Sequence, residues 1–390
     1  MEAMKILRPT RRSVILLAVF ALLTSLVASA ADKYLFYVGT YTEGTASHGI
    51  YAYRFDPSSG ESTALGLAAE TTNPSFFALH PNGHFLYAVN EVQKYDGPNS
   101  GGVSAFSVDQ ATGKLTFLNE VPSRGADPCY VIVDDSGKYV LVANYTGGSV
   151  AVFPILADGK LGAAAAFIQH TGHGTNPQRQ EAAHAHSIDL SPDERFAFVD
   201  DLGLDELLVY KFDRANGSLT PNNPPFAKLD PGAGPRHFAL DGSGKFAYVV
   251  AEMESTVNGF AADLTTGTLR KLETISTLPK DFKGENDDAE IHIHPNGRFL
   301  YASNRGHDSI AVFAIDRGKG SLTKIDDVPT GGKIPRSFEL DPTGKYLFAA
   351  NQKSDDIVVF RVDEKTGKLT PTGQKLEVAS PVCVKFLKVE

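Results

Sequence analysis

Tryptophan is absent from this chain, and cysteine nearly so, with two residues in 390. That count excludes a disulfide scaffold as the basis of the fold. Cys129 and Cys383 also fall at nearly the same place in two different copies of the repeat described below, so both are expected to be buried free thiols. A basic surplus is missing as well. Lysine and arginine total 37 against 46 acidic residues, a formal charge of −9, which disfavours non-specific nucleic-acid binding. Long apolar runs are limited to one, residues 14–27. It is shorter than the roughly 20 residues of a spanning helix. Lys5, Arg8, Arg11 and Arg12 precede it and Ala28-Ser29-Ala30 follows, the pattern of a cleavable export signal. Loss of residues 1–30 removes a net +3 and takes the charge to −12. The expected mature protein, residues 31–390, is a single domain, periplasmic or secreted, with no stable membrane anchor.

Several chemistry-bearing motifs are missing too. No phosphate-binding loop, dinucleotide fingerprint, zinc motif or G-x-S-x-G elbow stands in a credible context. No cofactor and no metal are therefore expected, and no serine is placed beside a base for covalent catalysis.

What the chain does have is one phrase repeated at a period near fifty residues. It runs apolar segment, tight turn, apolar segment, small polar residue, apolar segment, then T-G-x-L. Aligned on the x-G-[KR]-[FY] turn, the copies place Gly83, Gly137, Glu194, Gly244, Gly297 and Gly344 in one column. Each copy contains four short β-type segments, a to d, punctuated by Pro, Gly, Asn and Asp. Four-stranded units repeated radially predict a propeller. The chain begins in mid-phrase, with residues 34–39 matching strand b, and ends with residues 381–387 matching strand a. The expectation is an all-β, seven-bladed propeller closed by the C-terminal innermost strand joining the N-terminal blade. A closed ring needs no partner to bury its edges, so a monomer is expected.

Equivalent positions can then be compared. Two columns open strand a: Ser75, Cys129, His186, Arg236, Ala289, Arg336, Val382, and then Phe76, Tyr130, Ser187, His237, Glu290, Ser337, Cys383. Two more end strand b: Gly39, Asn90, Asn144, Asp201, Ala251, Asn304, Asn351, and then Thr40, Glu91, Tyr145, Leu202, Glu252, Arg305, Gln352. These columns swap between apolar, acidic, basic and imidazole side chains, whereas the turn columns barely change. Symmetry is kept for folding and broken at one mouth of the channel. His184, His186, Arg236, His237, Glu252, Glu290, Arg305 and Arg336 converge there, framed by long insertions at 169–183, 279–288 and 91–101. Charge gathered in an enclosed place is costly unless paired or used.

The Asn column reads as turn caps bonding their own backbone, with a few side chains reaching substrate. His80 and His294 read as turn acceptors, and His170 and His173 as lid residues or exposed ones. Imidazole, carboxylate and guanidinium around one pocket suit general acid–base chemistry with cationic stabilisation of an anion. Ester or lactone hydrolysis fits, as does proton abstraction alpha to a carboxylate. The rival readings are a non-catalytic binding propeller and a Ca²⁺ site on the Asn/Asp column, where Asp201 is the only carboxylate.

The ordered motifs H-A-H-S (184–187), D-D-L-G (200–203), G-P-R-H (234–237), Glu252 after A-Y-V-V-A, A-E-I (289–291), S-N-R-G (303–306), P-R-S-F (335–338) and A-A-N-Q-K-S-D (349–355) resemble the seven-bladed propeller lactonases. That family includes bacterial 6-phosphogluconolactonases and fungal carboxy-muconate lactonising enzymes. The resemblance covers the whole mature chain. It implies a metal-independent site on one channel mouth and a lactone substrate, with lactonising (cycloisomerase) chemistry as the alternative. Its proposed catalytic residues match His186, Arg236, Glu252 and Arg305, all already singled out by the columns. His184, Asp201, His237, Glu290, Arg336 and Asn351 are the expected substrate-binding residues. An export signal sits poorly with a cytosolic phosphorylated lactone. A sugar lactone or other cyclic ester, with Arg305 or Arg336 holding a carboxylate or hydroxyl, is the corresponding expectation.

Overall fold

A computed structural model describes residues 33–97 and 99–389; the expected export signal lies outside them. Within these residues 28 strands form seven antiparallel sheets of four. The innermost strands are Phe77–Leu79, Pro128–Val133, Ala185–Leu190, Pro235–Leu240, Asp287–Ile293, Pro335–Leu340 and Pro381–Val389. Successive innermost strands touch one another all the way round, the last touching the first. Pro381–Val389 pairs with Lys33–Thr40, so the ring closes by joining the two ends of the chain. Each strand b is almost entirely buried, because both faces of the sheet pack against neighbouring blades.

The turn column explains itself by backbone geometry. Gly83, Gly137, Gly244, Gly297 and Gly344 all have φ near +70°, and Glu194 fills the same place at φ +54°. A non-glycine residue there carries a steric cost. Glu194 offsets it with its side chain, which accepts from the Asp135 N–H and pairs with Arg214 at 2.7 Å. His80 and His294 are structural, as expected. Each accepts the N–H two residues on and bonds the turn carbonyl of the next blade, Gly137 at 3.0 Å and Gly344 at 2.8 Å.

The T-G-x-L glycine seats a ring from the preceding blade. A Cβ on Gly159, Gly217, Gly267, Gly320 or Gly367 would overlap Phe85, Tyr139, Phe196, Phe246 or Phe299. Gly320→Ala combines a left-handed backbone (φ +73°) with that overlap. It should cost about 3 kcal/mol, from about 1–2 for the backbone and about 1–3 for overpacking. Denaturant unfolding measures this, and an unchanged midpoint would refute the packing account.

The Asn column departs from expectation. These side chains do not cap their own turn; they stitch strands and blades together. Asn144 donates to the Ser123 carbonyl of the preceding blade at 3.2 Å and to Ser149 Oγ on strand c at 3.1 Å. Asn304 repeats the pattern with the Thr277 carbonyl and Ser309. Asn351 donates to Asp356 at 2.8 Å and is fully buried. Cys129 and Cys383 are free and buried.

Candidate active site

The first column points inward because of a backbone irregularity that the sequence does not announce. In strand a the pairing register slips at Cys129, His186, Arg236 and Arg336, and again at Val382. Each slip is a β-bulge, which leaves one residue unpaired and re-aims its side chain. In the fifth blade the irregularity spans Ala289 and Glu290. The irregularity recurs in six of the seven blades, so it delivers the varied residues of that column to one mouth.

Glu252 is the centre. Its Oε2 lies 3.0 Å from Arg236 Nε, 2.8 Å from Arg305 Nη2 and 4.0 Å from His186 Nε2. Its Oε1 pairs with Arg179. Burial works against the charge on Glu252, but Arg305, Arg236 and Arg179 outweigh it and hold the carboxyl far below the usual carboxylate range. Glu252 is therefore an anchor for cations and a very weak base. Burial, reinforced by Arg236, pushes His186 well below its ordinary value, so its imidazole is neutral at neutral pH. Arg236 is pulled down to about 10 by burial and by Arg336 and Arg305, and still carries its proton at neutral pH. Its Nη1 donates to the Ala289 carbonyl at 2.6 Å and lies 3.1 Å from His237 Nε2.

His237 and Glu290 form the adjoining layer. His237 Nδ1 bonds Glu290 Oε1 at 2.7 Å. Burial brings His237 down to about 4 in spite of that carboxylate. Arg336 stands across the mouth, its guanidinium 5.4 Å from the centre of the Tyr41 ring. Beside it Glu91 accepts from Tyr41 Oη at 2.9 Å and from Ser75 Oγ, and burial pushes its pKa up. Arg236, His237, Glu290, Arg336 and Glu91 line a narrow cleft at this mouth.

The structure thus gathers His186, Arg236, Glu252, Arg305, His237, Glu290 and Arg336. His184 stands at the edge, stacked on Tyr145 with centroids 4.7 Å apart and 3.2 Å from Glu181. Two expected substrate-binding residues lie elsewhere. Asp201 is fully buried, bonds His170 at 2.7 Å and accepts from the His184 and Gly203 N–H groups. Asn351 belongs to the blade stitching described above. Strand alternation and the Asp356 and His170 partners turn both away from the mouth. His170 is neither lid nor exposed, since it also bonds Tyr210 Oη at 3.0 Å; His173 is exposed.

Sequence reasoning missed Arg179, Glu91 and Tyr41. Arg179 sits on the 169–183 insertion. It is carried over Glu252 because Gln180 staples that loop, donating to the Leu202 carbonyl and Asp205 and accepting from two loop N–H groups. Glu91 was in a varied column, and its acidity was the signal. Among the described residues, no group of three or more His, Cys, Asp or Glu side chains could hold a metal ion.

Comparison with known proteins agrees with this picture. The sequence profile of the family described as "Lactonase, 7-bladed beta-propeller" matches residues 35–386. A 6-phosphogluconolactonase of Bacillus subtilis is 41% identical over 355 residues, 91% of this chain and 99% of the relative. One from Formosa agariphila is 37% identical over 308 residues, 78% of this chain and 86% of the relative. A solved Pseudomonas aeruginosa periplasmic gluconolactonase superposes with a TM-score of 0.86 at 35% identity, covering 92% of this chain and all of that one.

Proposed function

The chain belongs to the seven-bladed β-propeller lactonases, and from that membership we propose that it hydrolyses a sugar lactone after export from the cytoplasm. The observation that carries the reading is the Glu252 knot, in which one buried carboxylate holds Arg236, Arg305 and Arg179 beside the neutral imidazole of His186. His186 activates water, for which it is better suited than Glu252, whose acidity is too strong for a base. Arg236 and Arg305 receive the oxyanion that forms when water adds to the carbonyl. Arg305 Nε is buried and without a partner among the protein groups.

The proposed substrate is unphosphorylated. Four guanidiniums (Arg179, Arg236, Arg305 and Arg336) already face the acidic groups Glu252, Glu290, Glu91 and Asp287. That balance leaves little surplus for a phosphate of charge about −2 and suits a polyhydroxylated ring. The export signal expected at residues 1–30 and the likeness to the periplasmic gluconolactonase of Pseudomonas aeruginosa support the same choice, whereas the likeness to the 6-phosphogluconolactonase of Bacillus subtilis points to the phosphorylated compound. The deciding assay measures kcat/KM on glucono-1,5-lactone and on its 6-phosphate side by side. A preference of about tenfold for the neutral lactone, a little over 1 kcal/mol, is expected. A reverse preference would reject the substrate assignment, and no turnover of either would reject the reaction.

The proposed base makes a pH prediction. A histidine lowered below its ordinary value stays neutral, and so competent, as pH falls through 6.5. The kcat/KM profile should therefore be flat through that region and drop only at distinctly lower pH. A pH–rate profile with its acidic midpoint at or above 6.5 would remove His186 from the role.

A further inference from the structure

Below the mouth the symmetry of strand a is broken a second time. Two residues after the His237/Glu290 column, all seven blades present a half-open side chain: Ala78, Ile132, Asp189, Ala239, His292, Glu339 and Lys385. The column between them (Phe77, Val131, Ile188, Phe238, Ile291, Phe338, Val384) is apolar and buried. Alternation therefore turns the first set toward the channel. Three blades keep Ala or Ile there (Ala78, Ile132 and Ala239). Three neighbours instead carry His292, Glu339 and Lys385, with Asp189 two blades before His292.

These groups connect to the upper site. His292 Nε2 lies 3.8 Å from Glu290 Oε1 and 3.8 Å from Glu339 Oε1, midway between them and bonded to neither. Glu339 pairs with Lys385 at 2.8 Å. Glu290 in turn holds His237 Nδ1, whose Nε2 adjoins Arg236. The His186 and His237 rings are in edge-to-face contact, their centroids 5.3 Å apart. Around His292 stand Glu290 on its own strand, Glu339 and the Phe338 ring edge from the next blade, Lys385 beyond them, and His237 from the blade before. Asp189 faces Tyr130 Oη at 3.3 Å, with its other oxygen unpartnered.

The chemistry supplies a reason for such a line, and the argument rests on the lactonase reading. Opening a lactone forms a bond from the water oxygen to the acyl carbon and breaks the ring C–O bond. One water proton ends on the leaving alkoxide. The second ends on the new carboxylic acid, which ionises among four guanidiniums, so one proton must leave per turnover. The upper mouth is a poor exit, because product occupies it and arginines ring it. We propose that Glu290, His292 and Glu339 carry this proton from His237 to solvent at the opposite mouth. His237 receives it at Nε2 and releases its Nδ1 proton to Glu290. In spite of burial, His237, His292 and Lys385 hold Glu290 below the usual carboxylate range, so Glu290 is a transient carrier that gives the proton up at once. His292 takes it up by closing one 3.8 Å gap and passes it across the other to Glu339. Asp189 and Lys385 set the local charge. His292 and Glu339 are thus positioning and relay residues that never touch the lactone.

The test compares wild type with His292→Gln and Glu339→Gln on glucono-1,5-lactone, over a range of buffer concentrations and in H₂O and D₂O. For His292→Gln, kcat should fall about tenfold in dilute buffer with KM unchanged, should recover with added imidazole, and should show an enlarged solvent isotope effect. Glu339→Gln should show a smaller loss of the same kind. Unchanged kcat, buffer dependence and isotope effect in both variants would overturn the route. So would a loss that no buffer restores, which would mark a structural role. Should His292→Gln fail to fold by circular dichroism, Glu339→Gln, at the solvent end, decides on the same readouts. Wild type inactive on every lactone would instead refute the lactonase reading itself.

Discussion

Glu252→Gln should lower kcat/KM for lactone opening by about a thousandfold, comparable to removing an oxyanion donor altogether. The reason is geometric before it is chemical. Glu252 is the one anion shared by Arg236, Arg305 and Arg179. An amide has the same shape but no charge, and its NH₂ would face a guanidinium. Three cations would then repel across a buried space and move apart, taking the oxyanion donors with them. The same substitution should also destabilise the fold, because breaking a buried ion network at one partner typically costs about 3–5 kcal/mol. The two effects separate experimentally. Arg179→Ala removes the half-exposed member, so it should cost far less stability while raising KM. His186→Ala should cost less stability than Glu252→Gln, since His186 makes no close ion pair and loses only its packing against Tyr145 and His237, yet abolish most of kcat. A Glu252→Gln enzyme retaining a tenth of wild-type activity would show that the knot is structural only.

Most of the architecture was legible because a repeat supplies its own internal comparison. The x-G-[KR]-[FY] column gave the hairpin turns, and the structure shows why, with φ near +70° at each glycine and at Glu194. The mid-phrase start gave ring closure. The mouth was legible for a related reason: a symmetric ring has no structural use for His, Arg, Glu and Cys at one equivalent place. What the columns could not convey was direction. Alternation assigns facing only in regular strands, and the bulges at His186, Arg236 and Arg336 shift the phase just where the site lies. Asp201 and Asn351 were grouped with the site by column and turn out to face the seams between strands. Arg179 was hidden for the opposite reason. It stands outside the repeat, on an inserted loop, where no column exists to mark it. The polar ring of Asp189, His292, Glu339 and Lys385 was equally open to the column argument, and the same comparison carried three residues deeper exposes it.

Removing residues 381–390 should leave no folded monomer. Pro381–Val389 is the innermost strand of the blade whose other three strands come from the opposite end of the chain. It pairs with Lys33–Thr40 along its length. Val382, Cys383, Val384 and Leu387 are buried on it, and Phe386 packs against Phe36, Phe55 and Phe348 at 5.1–5.4 Å between centroids. At about 2 kcal/mol for each of these five side chains the loss is roughly 10 kcal/mol, within the whole stability of about 5–15 kcal/mol of a typical domain. Truncation would also strip the edge of Lys33–Thr40 and remove Val382 and Lys385 from the channel wall, so the damage would reach the site. Circular dichroism and thermal melting of the truncated protein test the point, with loss of the cooperative transition expected. A synthetic peptide of residues 381–389 should restore part of it, because the vacated place is an open strand edge with a preformed register. A truncated protein that melts like wild type would mean that the six complete blades hold the ring without the closing strand. In that case the site residues on the first and last blades would need another anchor than the one described.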